Sequence, residues 1–193
     1  ISFFRFDWKP YKTTHYEIFY YPSIEPHLSR IAGYAENAYL HISNELKQEL
    51  PERVPLILYK TFSEFAQTNL FPIEVPEGVG AFAEPSRDRM VLPIDYPPDE
   101  LQELFIHELT HIFQFDIIPR SLVRRSVPVW IDEGMATYME DEWDPLDAMV
   151  VRDAAVTDQL PTFEAPDGGF VRSPYSFGSS IFVVIVERFA REA

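Results

Sequence analysis

The chain has no cysteine among its 193 residues, so neither a disulfide framework nor a thiolate metal ligand is possible. Basic residues are also scarce, since 16 lysines and arginines stand against 31 aspartates and glutamates, a formal net charge of −15. This charge disfavours nucleic acid and anionic membranes and favours basic substrates, although a solvated acidic surface is the simpler explanation of the excess. The longest apolar run covers only 181–186, so we expect no direct membrane insertion, and no secretory signal is visible.

Apolar and aromatic residues are frequent enough to form a substantial core, at 46% and 15% of the chain. Such a composition is typical of a folded domain rather than of a disordered segment. We expect a single domain, 1–193, with an N-terminal α/β lobe over about 1–96 and a mainly helical lobe over about 97–193. Because the chain begins with Ile1 rather than Met and ends at Ala193 in a predicted helix, we expect a fragment of a longer protein.

The hydrophobic pattern predicts an α+β fold, in which a small mixed sheet with its helices precedes a run of helices. Thr61 with Glu64, and Asp99 with Gln102, have the spacing of reciprocal helix caps. The predicted strands are 15–21, Val54–Tyr59, 78–84 and 89–94. The predicted helices cover 26–49, ended by Pro51, then 61–68, a segment from Asp99 to about Asp116, a short helix from Pro128, then 147–157 and 175–191.

The most informative segment is 107–111, which reads His-Glu-Leu-Thr-His. On a helix, positions four apart lie on the same face, so His107 and His111 can direct two imidazoles at one metal ion. Zinc binds imidazole nitrogen readily, and a catalytic zinc site keeps one position for water. Glu108 lies about 100° further around the helix, on the rim of such a site, where it can accept a proton from that water. The segment therefore predicts a zinc-dependent hydrolase, although other divalent ions bind similar sites.

Glu133 is the predicted third ligand, because two histidines and one glutamate form a known zinc arrangement. The three-histidine alternative requires glycine and histidine where this chain has Gln114 and Ile117, and it is excluded. Gly134 follows the ligand and predicts a close approach between the Glu133 helix and the zinc helix. Asp132 and Thr137 flank Glu133 and are candidates for orienting an imidazole, or ordinary helix residues.

Together, residues 107–111 and the segment Trp130-x-x-Glu133-Gly134-x-Ala-Thr-Tyr resemble the gluzincin metallopeptidases, in particular their M1-like peptidase MA domains. Residues 174–178, Pro-Tyr-Ser-Phe-Gly, are similar to a further segment of that group. The resemblance implies the gluzincin layout, one Zn²⁺ ion, and a role for the Tyr175 hydroxyl in stabilising the oxyanion of the tetrahedral intermediate.

One departure from the M1 pattern affects substrate choice. Where M1 aminopeptidases carry a glutamate that binds the substrate's free amine, this chain has Ala83, and Glu84 comes one residue later. A shift of one residue in a strand turns a side chain to the opposite face. The backbone of Gly80, Ala81 and Phe82 can still bind an extended peptide. The resemblance therefore favours an endopeptidase over an aminopeptidase.

The resemblance implies zinc-dependent hydrolysis of peptide bonds in a peptide or protein substrate, with Glu108 as the general base. It also implies an extracytoplasmic location and an additional domain in the full-length protein, such as a C-terminal β-propeller. A catalytically silent zinc-binding module that binds peptide or a partner protein is the alternative, and the acidic run 140–144 could supply its fourth metal ligand. Action on a non-peptide bond, such as an epoxide, is a third.

Overall fold

Strands and helices are interspersed along the first half of the chain, and the described residues of the second half form helices and their connections. The structure is a computed structural model that describes residues 6–67, 80–118, 127–140, 144–161 and 173–189. Its residues divide into two compact units, Ile1–Asp116 and Ile117–Ala193. The predicted mixed α+β class is confirmed, whereas the gluzincin layout and the expected lobes stay predictions.

Within the described part of the first unit, five strands form one mixed sheet with the order β1-β2-β3-β5-β4. The pairs β1/β2 and β4/β5 are antiparallel, and β3 pairs in parallel with both β2 and β5. The central strand β3 pairs along both edges, and its apolar residues Val54, Leu56, Leu58 and Tyr59 are buried. The strands are β1 Lys9–Lys12, β2 Tyr16–Tyr20, β3 Val54–Tyr59, β4 Phe82–Glu84 and β5 Arg89–Pro93.

Helix α1, Leu28–Leu46, connects the parallel strands β2 and β3 and follows a 3-10 helix at Pro22–His27. The apolar side of the helix is buried, including Leu28, Ile31, Ala35, Ala38 and Ile42. The helix ends earlier than predicted, because Lys47 adopts a left-handed conformation (φ 52°) before Pro51 is reached. Residues at 0% exposure form much of the core of the first unit: Tyr16, Ile18, Ile31, Leu56, Leu58, Met90, Leu92, Phe105 and Phe113.

His15, for which the sequence predicts no role, joins the connection between β1 and β2 to Glu36 of α1. The backbone N–H of His15 donates to Glu36 Oε1 (3.0 Å), and the His15 ring Nδ1 lies 2.6 Å from Glu36 Oε2. The same ring stacks on Tyr39 at 3.8 Å between centroids. Burial opposes ionisation of Glu36, but hydrogen bonds from Thr13 and His15 outweigh it and hold the pKa of this carboxyl below its ordinary value.

Of the two predicted helix caps, one is confirmed and the other is wrong. Helix α2, Phe62–Ala66, begins with the predicted capping box between Thr61 and Glu64. Helix α3, Pro98–Ile117, begins one residue before Asp99, so the prediction that Asp99 caps it is wrong. Asp99 lies in the first turn instead, where its charge complements the helix dipole, and Gln102 Nε2 donates to the carbonyl of Tyr34 at 3.4 Å.

The described part of the second unit contains three helices: α4 Val129–Met139, α5 Pro145–Val156 and α6 Pro174–Phe189. Pro128 is the N-cap of α4 rather than its first helical residue, as its extended backbone (ψ 141°) shows. The side chain of Asp144 caps α5 by accepting the backbone N–H of Leu146 at 2.8 Å. No helix in the described ranges combines the length and the apolar character that crossing a bilayer requires.

Candidate metal centre

Helix α3 places His107 and His111 on one face, as their four-residue spacing predicts. The centroids of the two rings lie 5.0 Å apart and the ring planes make an angle of 77°. His111 is buried and His107 is half-buried. The helix is fixed beneath them by an apolar side that includes Leu101, Phe105 and Leu109, each at most 1% exposed. The packing of α3 in the core therefore sets the direction in which His107 and His111 face, because a helix buried on one side cannot turn about its axis.

The described residues contain one group of three side chains able to hold a metal ion, and it consists of His107, His111 and Glu133. One ligand atom of each lies within 4.8 Å of the other two. Donor atoms around a tetrahedral zinc ion lie about 3.4 Å apart, given bond lengths of about 2.0–2.2 Å. The donor set is therefore compatible with a divalent metal ion, whose identity this geometry leaves open.

Glu108 is more enclosed than its expected position on the rim of the site. Glu108 is only 6% exposed, and the next two residues of the helix, Leu109 and Thr110, are completely buried. Glutamate is almost never buried in this way unless it is paired. Because Glu108 is buried and also lies next to His107 in the sequence, it stays a candidate for the general base.

Gln114 is in contact with His111, one of the candidate ligands. In the sequence, Gln114 served only to exclude a three-histidine site. Its side-chain Oε1 lies 2.9 Å from Nδ1 of His111, and both side chains are buried. The signal was present in the sequence, because residues three apart on a helix are neighbours. Asp132 and Thr137, the predicted orienting residues, are half-buried on α4, and their role stays a prediction.

Helix α4, which carries Glu133, packs unusually closely against α6 through two glycines. A Cβ atom on Gly134 would lie 2.4 Å from the Cα atom of Gly178, and a Cβ atom on Gly178 would lie 2.2 Å from the carbonyl oxygen of Trp130. Gly134 was expected to allow a close approach to the helix that carries His107 and His111. That prediction is wrong about the partner, because the backbone nearest to a Cβ atom on Gly134 belongs to α6. The glycine of the Pro-Tyr-x-x-Gly segment thus determines how close the ligand-bearing helix lies to α6.

Tyr175 lies in the first turn of α6 and is 46% exposed. The following residue anchors this turn, because Ser176 Oγ donates to Asp147 Oδ1 on α5 at 2.5 Å. Ser173 Oγ lies 2.5 Å from the same hydroxyl. The start of α6 is thus held in place by hydrogen bonds, and the hydroxyl role of Tyr175 stays a prediction.

Gly80 and Ala81 precede β4, and Phe82 is its first residue. Strand β4 is an edge strand of the sheet as far as the chain is described. A Cβ atom on Gly80 would lie 2.9 Å from the Tyr96 hydroxyl, so a larger residue there would displace that side chain. Substrate binding by these residues stays a prediction. Residues 141–143, most of the proposed source of a fourth ligand, lie outside the described residues.

No family model, no curated protein and no solved structure matches the chain in comparisons of its sequence and fold. The functional case therefore depends on the donor group and its surroundings.

Proposed function

We propose that the protein is a zinc-dependent peptidase that hydrolyses peptide bonds with Glu108 as its general base. The observation that carries this proposal is the donor group of His107, His111 and Glu133, with the buried carboxylate of Glu108 next to the first histidine. Two imidazoles and one carboxylate are the ligands of a known class of catalytic zinc site. The resemblance to gluzincins in residues 107–111, 130–138 and 174–178 points to the same chemistry.

A bound zinc ion would act as a Lewis acid, which makes water more acidic and polarises the scissile carbonyl group. Glu108 accepts the proton of the attacking water and transfers it to the leaving amine. The Tyr175 hydroxyl donates a hydrogen bond to the oxyanion that develops on the former carbonyl, a type of contact that contributes about 3–4 kcal/mol in other acyl-transfer enzymes. Substrate backbone pairs with the edge of β4 next to Gly80–Phe82, in the manner of a peptide added to a sheet.

The surroundings of Glu84 support internal cleavage rather than removal of N-terminal residues. Ser86 Oγ donates to Glu84 Oε1 at 2.6 Å, and the guanidinium of Arg89 donates to Glu84 Oε2. Burial opposes ionisation, but these partners hold the pKa of Glu84 below its ordinary value. A carboxylate already paired with arginine is a poor anchor for a substrate's free amine, and Ala83 offers no charge at all. An endopeptidase therefore fits better.

Metal analysis combined with digestion of a peptide library tests the proposal, with wild type beside Glu108→Gln. We expect one zinc ion per chain in both proteins, cleavage within peptides by the wild type, and a loss of turnover of about 10²–10⁴-fold in the variant. Glu100→Gln makes the same change at an exposed position in the first turn of α3, and it should behave as wild type.

Each contrary result identifies a different error. Absence of zinc from the purified wild type would refute the proposal as a whole. Normal cleavage by Glu108→Gln would show that the base is assigned wrongly. Zinc binding by both proteins without cleavage by either would favour the silent peptide-binding module.

A further inference from the structure

The contact between His111 and Gln114 determines which nitrogen of His111 carries a proton. A side-chain amide oxygen has no proton to donate, so it can only accept a hydrogen bond. With Gln114 Oε1 at 2.9 Å from Nδ1, the proton of the bond must therefore be on Nδ1. In a neutral imidazole the other nitrogen, Nε2, then carries a lone pair instead of a proton.

We infer that Gln114 is a positioning residue that holds His111 in the Nδ1-protonated tautomer, in which Nε2 has the unprotonated form that can ligate a metal ion. This inference rests on the proposed function insofar as it concerns zinc. Metal-ligating histidines almost always donate their second ring N–H to a nearby acceptor, which fixes both the tautomer and the ring orientation.

Burial makes this contact specific. Gln114 is 3% exposed and His111 is 9% exposed, so water competes little for either group, and a buried polar group without a partner is costly. Both residues are on α3 at a spacing of three, so the packing of this one helix holds the acceptor in place. The acceptor is neutral, unlike the carboxylate that often orients a zinc-bound histidine, so it fixes the ring without adding negative charge.

Three variants separate this role from general support of the helix. Gln114→Leu removes the acceptor, whereas Gln114→Glu keeps an acceptor of the same length and adds a charge. Thr110→Val is the matched control, because Thr110 is completely buried in the same helix and its Oγ1 donates to the carbonyl of Ile106 at 2.8 Å. The control therefore removes a buried hydrogen bond of α3 without removing the acceptor of His111.

The first measurement is the tautomer of His111 in the metal-free protein, from long-range ¹H–¹⁵N NMR at a pH where the imidazoles are neutral. We expect a proton on Nδ1 in wild type, Gln114→Glu and Thr110→Val, and a mixture of tautomers in Gln114→Leu. A proton on Nε2 of His111 in the wild type would overturn the inference. This readout needs no metal, so it still decides the role of Gln114 if the wild type fails to bind zinc and the proposed function is wrong.

The second measurement is zinc affinity by competition with a chelator of known affinity. Loss of the acceptor should weaken zinc binding by about 10–100-fold in Gln114→Leu, with wild-type or tighter binding in Gln114→Glu. Equal losses in Gln114→Leu and Thr110→Val would overturn the inference, because they would reduce Gln114 to a structural residue. If Gln114→Leu does not fold, zinc binding by Gln114→Glu decides, since a large loss there contradicts an acceptor role.

Discussion

Replacing Gly134 by alanine tests whether the spacing of α4 and α6 depends on contact between their backbones. The added Cβ atom would lie 2.4 Å and 2.5 Å from the Cα and carbonyl carbon atoms of Gly178, and 2.9 Å from the amide nitrogen of Ser179. Favourable contacts between carbon atoms occur at about 3.5–4.0 Å. All three neighbours are backbone atoms, so no side chain can rotate away, and the two helices must separate by roughly 1 Å.

Two opposing terms determine the expected change in the free energy of unfolding. Overpacking of this kind costs about 1–3 kcal/mol, and rigid backbone neighbours favour the upper end of that range. Alanine recovers about 1 kcal/mol through its higher helix propensity. We therefore expect Gly134→Ala to destabilise the protein by about 1–2 kcal/mol, which lowers Tm by about 2–8 °C for a chain of this size.

Gly33 of α1 provides the control, because a Cβ atom built there meets nothing within 4 Å. The same substitution at Gly33 should stabilise the protein by up to about 1 kcal/mol. Denaturant unfolding followed by circular dichroism measures both variants against wild type. A lower free energy of unfolding in Gly134→Ala together with a higher one in Gly33→Ala would support the reasoning. A Gly134→Ala variant as stable as Gly33→Ala would refute the close packing of α4 on α6. Because Glu133 precedes Gly134 on α4, we also expect weaker zinc binding in Gly134→Ala.

Two further predictions concern the first unit. Because hydrogen bonds hold the pKa of Glu36 below its ordinary value of 4.5, the unfolded chain takes up this proton first as the pH falls. The stabilisation by Glu36 is therefore complete above that value and is lost as the pH falls through the lower folded pKa. Acid titration of stability should show this dependence in wild type and lose part of it in Glu36→Gln; identical curves would contradict it. Removing the cap of α2 by Thr61→Ala should cost about 1 kcal/mol, whereas Ser63→Ala, an exposed change in the same helix, should stay within about 0.5 kcal/mol. Equal unfolding midpoints for these two variants would show that the capping box contributes nothing.

Elements whose signals are local were predictable from the sequence. Strand β3 has the predicted bounds Val54–Tyr59, because a short apolar β-branched run between turn residues has few alternatives. The capping box of α2 and the helical setting of His107 and His111 follow from spacings of three and four residues. These features depend on chain geometry over one or two turns, which the sequence specifies directly.

Errors and omissions occur where a residue's partner is distant in the sequence. Strand β1 was not predicted, since four residues that are mostly exposed become a strand only by pairing with β2. Gly134 was matched to the wrong helix because a glycine signals a close approach without naming what approaches. The contact of Gln114 with His111 is local, and it was missed because an i,i+3 pair indicates proximity but not which rotamers bring the two side chains together.

The sequence by itself determined the chemistry available to this protein, namely two imidazoles four residues apart, a carboxylate between them and no thiol to compete for a metal. The sequence also predicted Glu133 as the third ligand, but only the tertiary structure places one ligand atom of each of the three side chains within 4.8 Å of the others. Tertiary structure likewise decided that Glu108 is enclosed and that Gly134 meets Gly178. The physical reason is that residue type and helical spacing are local properties of the chain, whereas burial and ligand assembly require distant segments to pack together.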